Sequence, residues 1–448
     1  MSGRGKSRPP LTGGPYLILG LARSGEAAAL ALRERGEQVM VCDTGRSPEL
    51  EAAAGRLSQA GVEVHLDASG LALAARAGTL IKSPGVPAHA PAALAARERG
   101  VPVLGEVELG WRLLANDFIA VTGTNGKTTT TEWIGHIHRD AAAPVAVAGN
   151  VGTAVTSLVG RLDPAATLVC EVSSFQLEDT VSFAPEVAVL TNLEPDHLDR
   201  HGTFADYVAA KLKVFANQGN DDVAVAPEGL GIEDLGGCAR RVCFGVGPEA
   251  EVSARAGQVW WRDEVLLPAA EVSLPGAHNL ANAMAAAAAC LARGLAPDDV
   301  ARGLRTFPGV AHRLELIATR DGVAFVNDSK ATNVASTLVA LRSYPGGVHL
   351  IAGGRGKQQD FAPLAPVVAE RCAAVYLIGE ATPDLRSALR PAGVPVHECG
   401  DLARAIERAR PAARPGDTVL LSPACASYDQ YRDFEARGDH FRALVEAL

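Results

Sequence analysis

The stretch FIAVTGTNGKTTTTEW at 118–133 sets an apolar run, a glycine-bearing turn, a lysine and a row of hydroxyls in the order that phosphate binding needs. A turn that opens a helix aims backbone N–H groups at phosphate oxygens, a lysine neutralises their charge, and a hydroxyl can ligate magnesium. The strict phosphate-loop pattern wants glycine six residues before the lysine, where Val121 stands; Gly123 follows two residues later. The loop is therefore short, but Gly126, Lys127 and Thr128 are spaced correctly, and an ATP site is expected. Downstream, TLVCEVSS ends in Glu171, where a strand-end carboxylate could hold the magnesium of a bound nucleotide. TNLEPDHLDRHG adds Asp196, His197, Asp199 and His201. The histidines are four apart, but Leu198 occupies the place of the glutamate in H-E-x-x-H, so zinc protease chemistry is excluded.

A second nucleotide turn lies in YLILGLARSGEAA at 16–28. Gly20 and Gly25 fill the outer places of a dinucleotide fingerprint, Ala22 replaces the middle glycine, and Asp43 follows the next apolar run, placed to meet a ribose hydroxyl. A nucleotide-binding strand–turn–helix is expected there; NAD does not follow from it.

The elements that must carry these turns alternate. YLILG, QVMVCD, TLIKSPG and VPVLGE form a first group of strand-like runs, and FIAVTG, TLVCEVSS, VAVLTNL and DDVAVA form a second. VAFVNDS, VHLIAGG, AAVYLIG and DTVLLSP form a third. Helical patterns between them predict an α/β protein with parallel sheets. Between 241 and 275, runs such as QVWWRDEVLL predict an antiparallel ribbon, and the alanine-rich stretch 279–293 a buried helix. Boundaries fall near 105 and 309, giving domains 1–105, 106–309 and 310–448.

The chain has 448 residues, 48% hydrophobic and 21% charged, and a formal charge of −9, which excludes a general affinity for nucleic acid. No run is long and apolar enough to span a bilayer, no secretory signal is evident, and a cytoplasmic protein is expected. The start, MSGRGKSRPPLTGG, reads as a loose basic tail. Eight cysteines without a C-x-x-C pair read as buried thiols in a reducing compartment, with no metal assigned to them.

GTNGKT, EVSSFQLE, NLEPDHLDRHG, YVAAKLKVF, LPGAHNLANAMAA, HRLE, NDSKATN and LSPACASYDQYRDFEARGDHF together resemble, in order and approximate spacing, the ATP-dependent Mur ligases. The resemblance implies a Rossmann-like N-terminal domain for the UDP end of a substrate and a central P-loop ATPase-like domain with an added small antiparallel sheet. A C-terminal Rossmann-like domain would close over the site. It implies addition of D-glutamate to UDP-N-acetylmuramoyl-L-alanine through an acyl phosphate, with ATP and two magnesium ions, by a monomer. It assigns Gly123, Thr124, Asn125, Gly126, Lys127, Thr128 and Thr129 to the ATP phosphates, Asn279 and Asn282 to the adenine, and Arg313, Asp328 and Lys330 to the nucleotide from the closing domain. Thr128, Glu171, His197 and Lys211 would serve the metal ions, Lys211 as a carbamate; Lys127, His197, Lys211 and Lys330 would be the catalytic group. Arg23, Ser24, Asp43, Thr44, Ser83, Gly85, Asn150, Ser173, Gln176 and His197 would face the UDP substrate. Thr332, Lys357, Ser427, Tyr428 and Phe434 would face glutamate.

Two departures qualify the match. Tyr428 stands where related enzymes often carry leucine, and DTGR at 43–46 displaces the arginine of the uracil region to Arg46. Other readings are a folate-extending relative, which should lack the last motif and the UDP domain, and an NAD-dependent oxidoreductase or nucleotide sensor built on residues 16–43. The latter leaves GTNGKTTT and NDSKATN without a role.

Overall fold

The structure, a computed structural model, describes residues 6–356 and 359–448; the side chain of Asp199 also lies outside the description. The chain divides into two units, 1–308 and 309–448. Among the described residues, strands form three sheets.

The first sheet holds β1 (Tyr16–Leu19), β2 (Val39–Cys42), β3 (Glu63–His65), β4 (Thr79–Lys82) and β5 (Val103–Gly105), in the order β3-β2-β1-β4-β5. All its pairings are parallel. β1, β2 and β4 are buried throughout, as short strands covered on both faces should be, although β4 carries Thr79 and Lys82 at its ends. Chain direction across the sheet reverses between β1 and β4, the switch point where open α/β sheets leave a crevice for ligands. The turn 20–24 opens there.

The second sheet contains β6 (Phe118–Thr122), β7 (Val145–Gly149), β8 (Thr167–Glu171), β9 (Val187–Leu190), β10 (Val223–Pro227) and β11 (Arg240–Gly245). It continues through β12 (Val252–Arg255), β13 (Gln258–Trp261) and β14 (Glu264–Pro268), in the order β14-β13-β12-β11-β10-β9-β6-β8-β7. The ribbon β12–β14 is antiparallel, as QVWWRDEVLL suggested, but it is joined to the parallel sheet through β11 rather than standing apart. The helix Ala277–Ala292, buried from Asn282 to Leu291, packs on the helix Lys127–Asp140 and on β10 and β11. Its small side chains let it approach closely.

The tail expected to be loose is docked from residue 6 onward. Lys6 Nζ lies 2.6 Å from Asp222 Oδ2 and donates to the Ala184 carbonyl at 2.7 Å. The Arg8 guanidinium donates to the carbonyls of Trp111 and Asn116 and sits over the rings of Trp111 and Phe118, 5.0 and 5.2 Å from their centroids. The basic residues that looked solvated bind it down, through carboxylate, carbonyl and cation–π contacts.

The second unit holds β15 (Glu315–Arg320), β16 (Val323–Asn327), β17 (Val348–Gly353), β18 (Cys372–Ile378), β19 (Val396–Gly400) and β20 (Thr418–Leu421), in the order β15-β16-β20-β17-β18-β19. All are parallel except the edge strand β15, which pairs antiparallel with β16. Asp321 (φ 53°) and Gly322 (φ 77°) form the turn between them, a D-G hairpin signal present in TRDGVAF. Among the described residues, no helix is long and apolar enough to cross a membrane.

Candidate active site

The loop 123–126 leaves β6 and feeds the helix Lys127–Asp140, whose first turn has no side-chain cap and no acidic residue. Such an uncapped helix start offers an anion site. Two glycines make the turn possible: Gly123 (φ 144°) has Thr191 Oγ1 1.9 Å from where a Cβ would stand, and Gly126 (φ 78°) has Asn282 Oδ1 at 2.1 Å. The loop is bound to the chain after β9. Thr191 Oγ1 donates to the Asn125 carbonyl at 2.6 Å, Asn125 N donates to Asn192 Oδ1 at 2.8 Å, and Thr124 Oγ1 bridges the Glu194 backbone and the Tyr207 hydroxyl.

Two ammonium groups converge on this loop. Lys127 Nζ donates to the carbonyls of Gly123 and Thr124 at 2.9 and 2.8 Å, and Lys211 Nζ donates to the Gly123 carbonyl at 2.6 Å. Lys211, on the helix Phe204–Leu212, is 2% exposed. Burial first and then the Lys127 charge bring its pKa down to about 7, against the opposing pull of Asp196 and Glu171. Its ammonium stands 4.6 Å from the ring centroid of Tyr207, one turn earlier on the same helix. Tyr207 was not singled out from the sequence, although its i, i+4 relation to Lys211 puts both on one helix face.

Glu171 is buried at the end of β8, where its Oε1 accepts from Asn150 Nδ2 at 2.9 Å. His197 (φ 51°) is exposed, 3.5 Å from Asp196 and 4.9 Å between ring centroids from Phe175. Thr128 and Thr129 are buried in the first helical turn. Asn282 lies beneath Gly126, while Asn279 is half-buried with its amide on the Pro275 carbonyl. Among the described residues, no three His, Cys, Asp or Glu side chains converge on a metal site. The donor set, a hydroxyl, one buried carboxylate and an imidazole beside a phosphate cradle, fits a cation bound partly through substrate phosphates, as magnesium usually is.

The UDP-turn residues are gathered at the switch point. Asp43 accepts from Leu21 N and Gly45 N at 2.7 and 2.8 Å, so its carboxylate shapes the turn. Ser83 Oγ donates to the Gly20 carbonyl at 3.0 Å, and a Cβ on Gly25 would stand 1.9 Å from that oxygen. Arg23 reaches the Gly152 carbonyl at 2.6 Å, bringing Asn150 and its neighbours toward the turn. Thr44 and Gly85 are exposed and Ser24 is half-buried at the helix start. Arg46 pairs with Asp67 at 3.1 Å on the surface. Ser173 and Gln176 form a capping box on the helix Ser174–Glu178, which partly accounts for both residues structurally.

In the second unit, Asp328 is buried, accepting from Ser422 Oγ at 2.7 Å and Leu314 N at 3.2 Å. Burial raises its carboxyl pKa to about 7 against these hydrogen bonds and the nearby Arg313 and Lys330. Lys330 N bonds the His312 carbonyl and Thr332 N bonds that of Lys330, so Arg313, Asp328, Lys330 and Thr332 share one locality. Ser427 is buried, Tyr428 is 61% exposed, and Phe434 begins the helix Phe434–Glu446. Lys357 lies outside the described residues. Arg437, quoted in a motif but given no role, proves central: its buried guanidinium holds Ser329 and the carbonyls of Cys425 and Ala426.

Comparison with known proteins covers the whole arrangement. Family models match residues 15–105 (Mur ligase MurD-like, N-terminal domain), 121–290 (Mur ligase middle domain) and 312–425 (Mur ligase, glutamate ligase domain). The UDP-N-acetylmuramoylalanine–D-glutamate ligase of Acidobacterium capsulatum is 41% identical over 449 residues, covering 98% of this chain and 97% of that protein. The enzyme of the same name from Anaeromyxobacter dehalogenans is 43% identical over 463 residues, 98% of both chains. In fold the chain is similar to the UDP-N-acetylmuramate-alanine ligase MurC of Thermotoga maritima, with TM-score 0.59 and 19% identity over 97% of this chain and 99% of that one. It is also similar to MurF of Thermotoga maritima, solved with ADP, with TM-score 0.55 and 15% identity over 92% and 96%. The α/β architecture expected from the alternation is thus that of solved Mur ligases, and the chain belongs to the Mur ligase family.

Proposed function

We propose that the chain is an ATP-dependent ligase that joins D-glutamate to the alanyl carboxylate of UDP-N-acetylmuramoyl-L-alanine, a step of peptidoglycan precursor synthesis. The observation that carries the reading is the meeting of Lys127 and Lys211 on the Gly123 carbonyl, beside an uncapped helix start. This is a place for anionic oxygens. Carboxylate and amine do not condense in neutral water because hydroxide leaves poorly. In the proposed reaction a carboxylate oxygen bonds to the γ-phosphorus of ATP, the P–O bond to ADP breaks, and an acyl phosphate forms. The free amine of glutamate then attacks the carbonyl carbon, phosphate leaves with the C–O electron pair, and the new amide nitrogen gives up a proton.

Lys127 and the amides of 123–129 are assigned to the transferring phosphate, where cationic and N–H donors act on charge that spreads in the transition state. Thr128 and Glu171 would hold one magnesium ion and His197 a second, with Lys211 nearby; when bound, such ions neutralise phosphate charge and align attacking and leaving oxygens. Asn279 and Asn282 are assigned to the adenine, with Arg313, Asp328 and Lys330 on the nucleotide. Residues 1–105 would take the UDP end, 106–309 ATP and 310–448 glutamate through Thr332, Ser427, Tyr428 and Phe434. A cationic Lys357 would suit a substrate with two carboxylates. The nucleotide substrates assign the enzyme to the cytoplasm. Sedimentation of the purified chain checks the monomeric state.

Phosphate release from ATP with the UDP substrate present tests the reading, with D-glutamate, L-glutamate or neither added. Release should require the UDP substrate and D-glutamate; release indifferent to both would sink it.

A pKa near 7 leaves much of Lys211 as the neutral amine, the form that adds carbon dioxide. We propose that it does: the amine nitrogen bonds to carbon, a proton passes to solvent, and the product is an anionic carbamate. With 13C-bicarbonate, one carbamate resonance is expected in the wild-type protein and none in Lys211→Arg. The same resonance in both would assign it elsewhere.

A further inference from the structure

Lys82, at the end of β4, has a fully buried side chain. Its ammonium lies 2.8 Å from Asp179 Oδ2 and donates to the Val86 carbonyl, also at 2.8 Å. Asp179 follows the helix Ser174–Glu178; its Oδ1 is 3.5 Å from Arg97, and its backbone carbonyl accepts from Gly105 N at the end of β5. Two strand ends of the first sheet are thus tied to one short helix of the second. Arg200 reaches the same Val86 carbonyl at 3.5 Å, while its guanidinium carbon lies 3.8 Å from the Phe175 ring centroid and its Nη2 3.7 Å from Glu178.

A buried ion pair is seldom the most stable filling for such a space, since apolar side chains of similar volume often do as well or better. Its value here is directional. Lys82 directly precedes Ser83, which is bonded to the Gly20 turn, and Arg200 stands one turn beyond His197. The polar seam therefore runs from the residues assigned to the UDP end to His197, assigned to a metal ion.

We propose that Lys82, Asp179 and Arg200 are positioning residues that fix loop 83–87 against segment 195–201, setting the distance from the UDP anchor to the reacting carboxylate. This rests on the ligase reading. A small displacement of a bound substrate costs turnover steeply, because alignment of the reacting atoms supplies much of the acceleration.

The double variant Lys82→Met/Asp179→Leu removes both charges and keeps the volume, so it should fold even where Asp179→Ala alone, which strands a buried ammonium, does not. In the double variant and in Arg200→Ala, KM for UDP-N-acetylmuramoyl-L-alanine is expected to rise about tenfold and kcat to fall several-fold. KM for ATP should stay within about twofold. Calorimetric titration of each protein with the UDP substrate alone should show the same loss of affinity. Wild-type constants in a folded double variant would overturn the proposal, and so would a fall in kcat with every KM unchanged, which marks only a smaller active fraction. If wild-type protein itself fails to bind the UDP substrate, the ligase reading falls and takes this proposal with it; wild-type binding with unaffected variants sinks the proposal alone.

Discussion

Lys127→Ala should lower kcat by roughly 10²–10³-fold or more, the loss typical of removing one preorganised donor to developing charge, while the UDP substrate binds as before. The side chain donates to the carbonyls of Gly123 and Thr124, and it stands at the start of the helix that faces the phosphate cradle. The residues gathered around the UDP turn, Asp43, Ser83 and Arg23, bond to other partners. Steady-state kinetics with titration of the UDP substrate separates the two functions. Intact turnover, or lost UDP-substrate affinity with kcat preserved, would contradict the division of labour. Lys127→Arg is a useful companion, since a planar fork does not replace a compact ammonium in a tight turn.

The largest stability effect is expected at Arg437. The side chain is 1% exposed and donates to Ser329 Oγ and the Ser329 carbonyl at 3.0 and 2.9 Å, and to the Cys425 carbonyl at 3.1 Å. Longer bonds reach Gly353 and Ala426. Burial lowers its pKa to about 10, which leaves it cationic at neutral pH. It thereby joins the end of β17, the segment 425–427 and the DSK turn at 328–330. Arg437→Ala empties a large volume and leaves several buried carbonyls unpaired, so a loss of about 3–5 kcal/mol is expected for the second unit. Chemical denaturation followed by hydrogen exchange of residues 309–448 measures it. A loss below about 1 kcal/mol would mean that water replaces the guanidinium without strain. Lys in its place should not restore stability, because three donors on a flexible stem cannot meet partners arranged around a planar fork.

The fold was legible where strands are buried and obscure where they are not. β1, β2, β4, β6, β8 and β20 are almost wholly buried and appear in the sequence as short runs that are apolar except at their ends, where residues such as Lys82 and Glu171 stand. β3, β7, β15 and β19, which escaped the reading, are all sheet edges and mostly half-buried or exposed; β3, β15 and β19 mix polar with apolar residues and carry little hydrophobic signal, whereas β7, VAVAG, is apolar and was open to the same reading as the others. Local chemistry could have recovered some of this: the D-G pair at 321–322 marks the β15–β16 hairpin, and Ser173 with Gln176 spells a capping box.

Site legibility follows the same division between local and long-range contacts. Lys127 and Thr128 are readable because turn, lysine and hydroxyl are contiguous. Thr191, Asn192 and Tyr207, which pin the loop from positions far along the chain, are ordinary polar residues until the strand order places them beside it. Lys82 and Asp179 are likewise two charges nearly a hundred residues apart, whose burial no composition or period announces. The docking of Lys6 and Arg8 belongs with them, since partners in the central sheet decide whether a basic tail is solvated.

Isotope transfer tests the central claim, activation of a carboxylate by phosphoryl transfer, most directly. UDP-N-acetylmuramoyl-L-alanine labelled with 18O in both alanyl carboxylate oxygens is turned over with ATP and D-glutamate, and the released phosphate is analysed by mass spectrometry. One 18O atom in each phosphate formed is the predicted result, because the carboxylate oxygen that bonds to the γ-phosphorus leaves with it. Unlabelled phosphate accompanying labelled amide product would contradict the account.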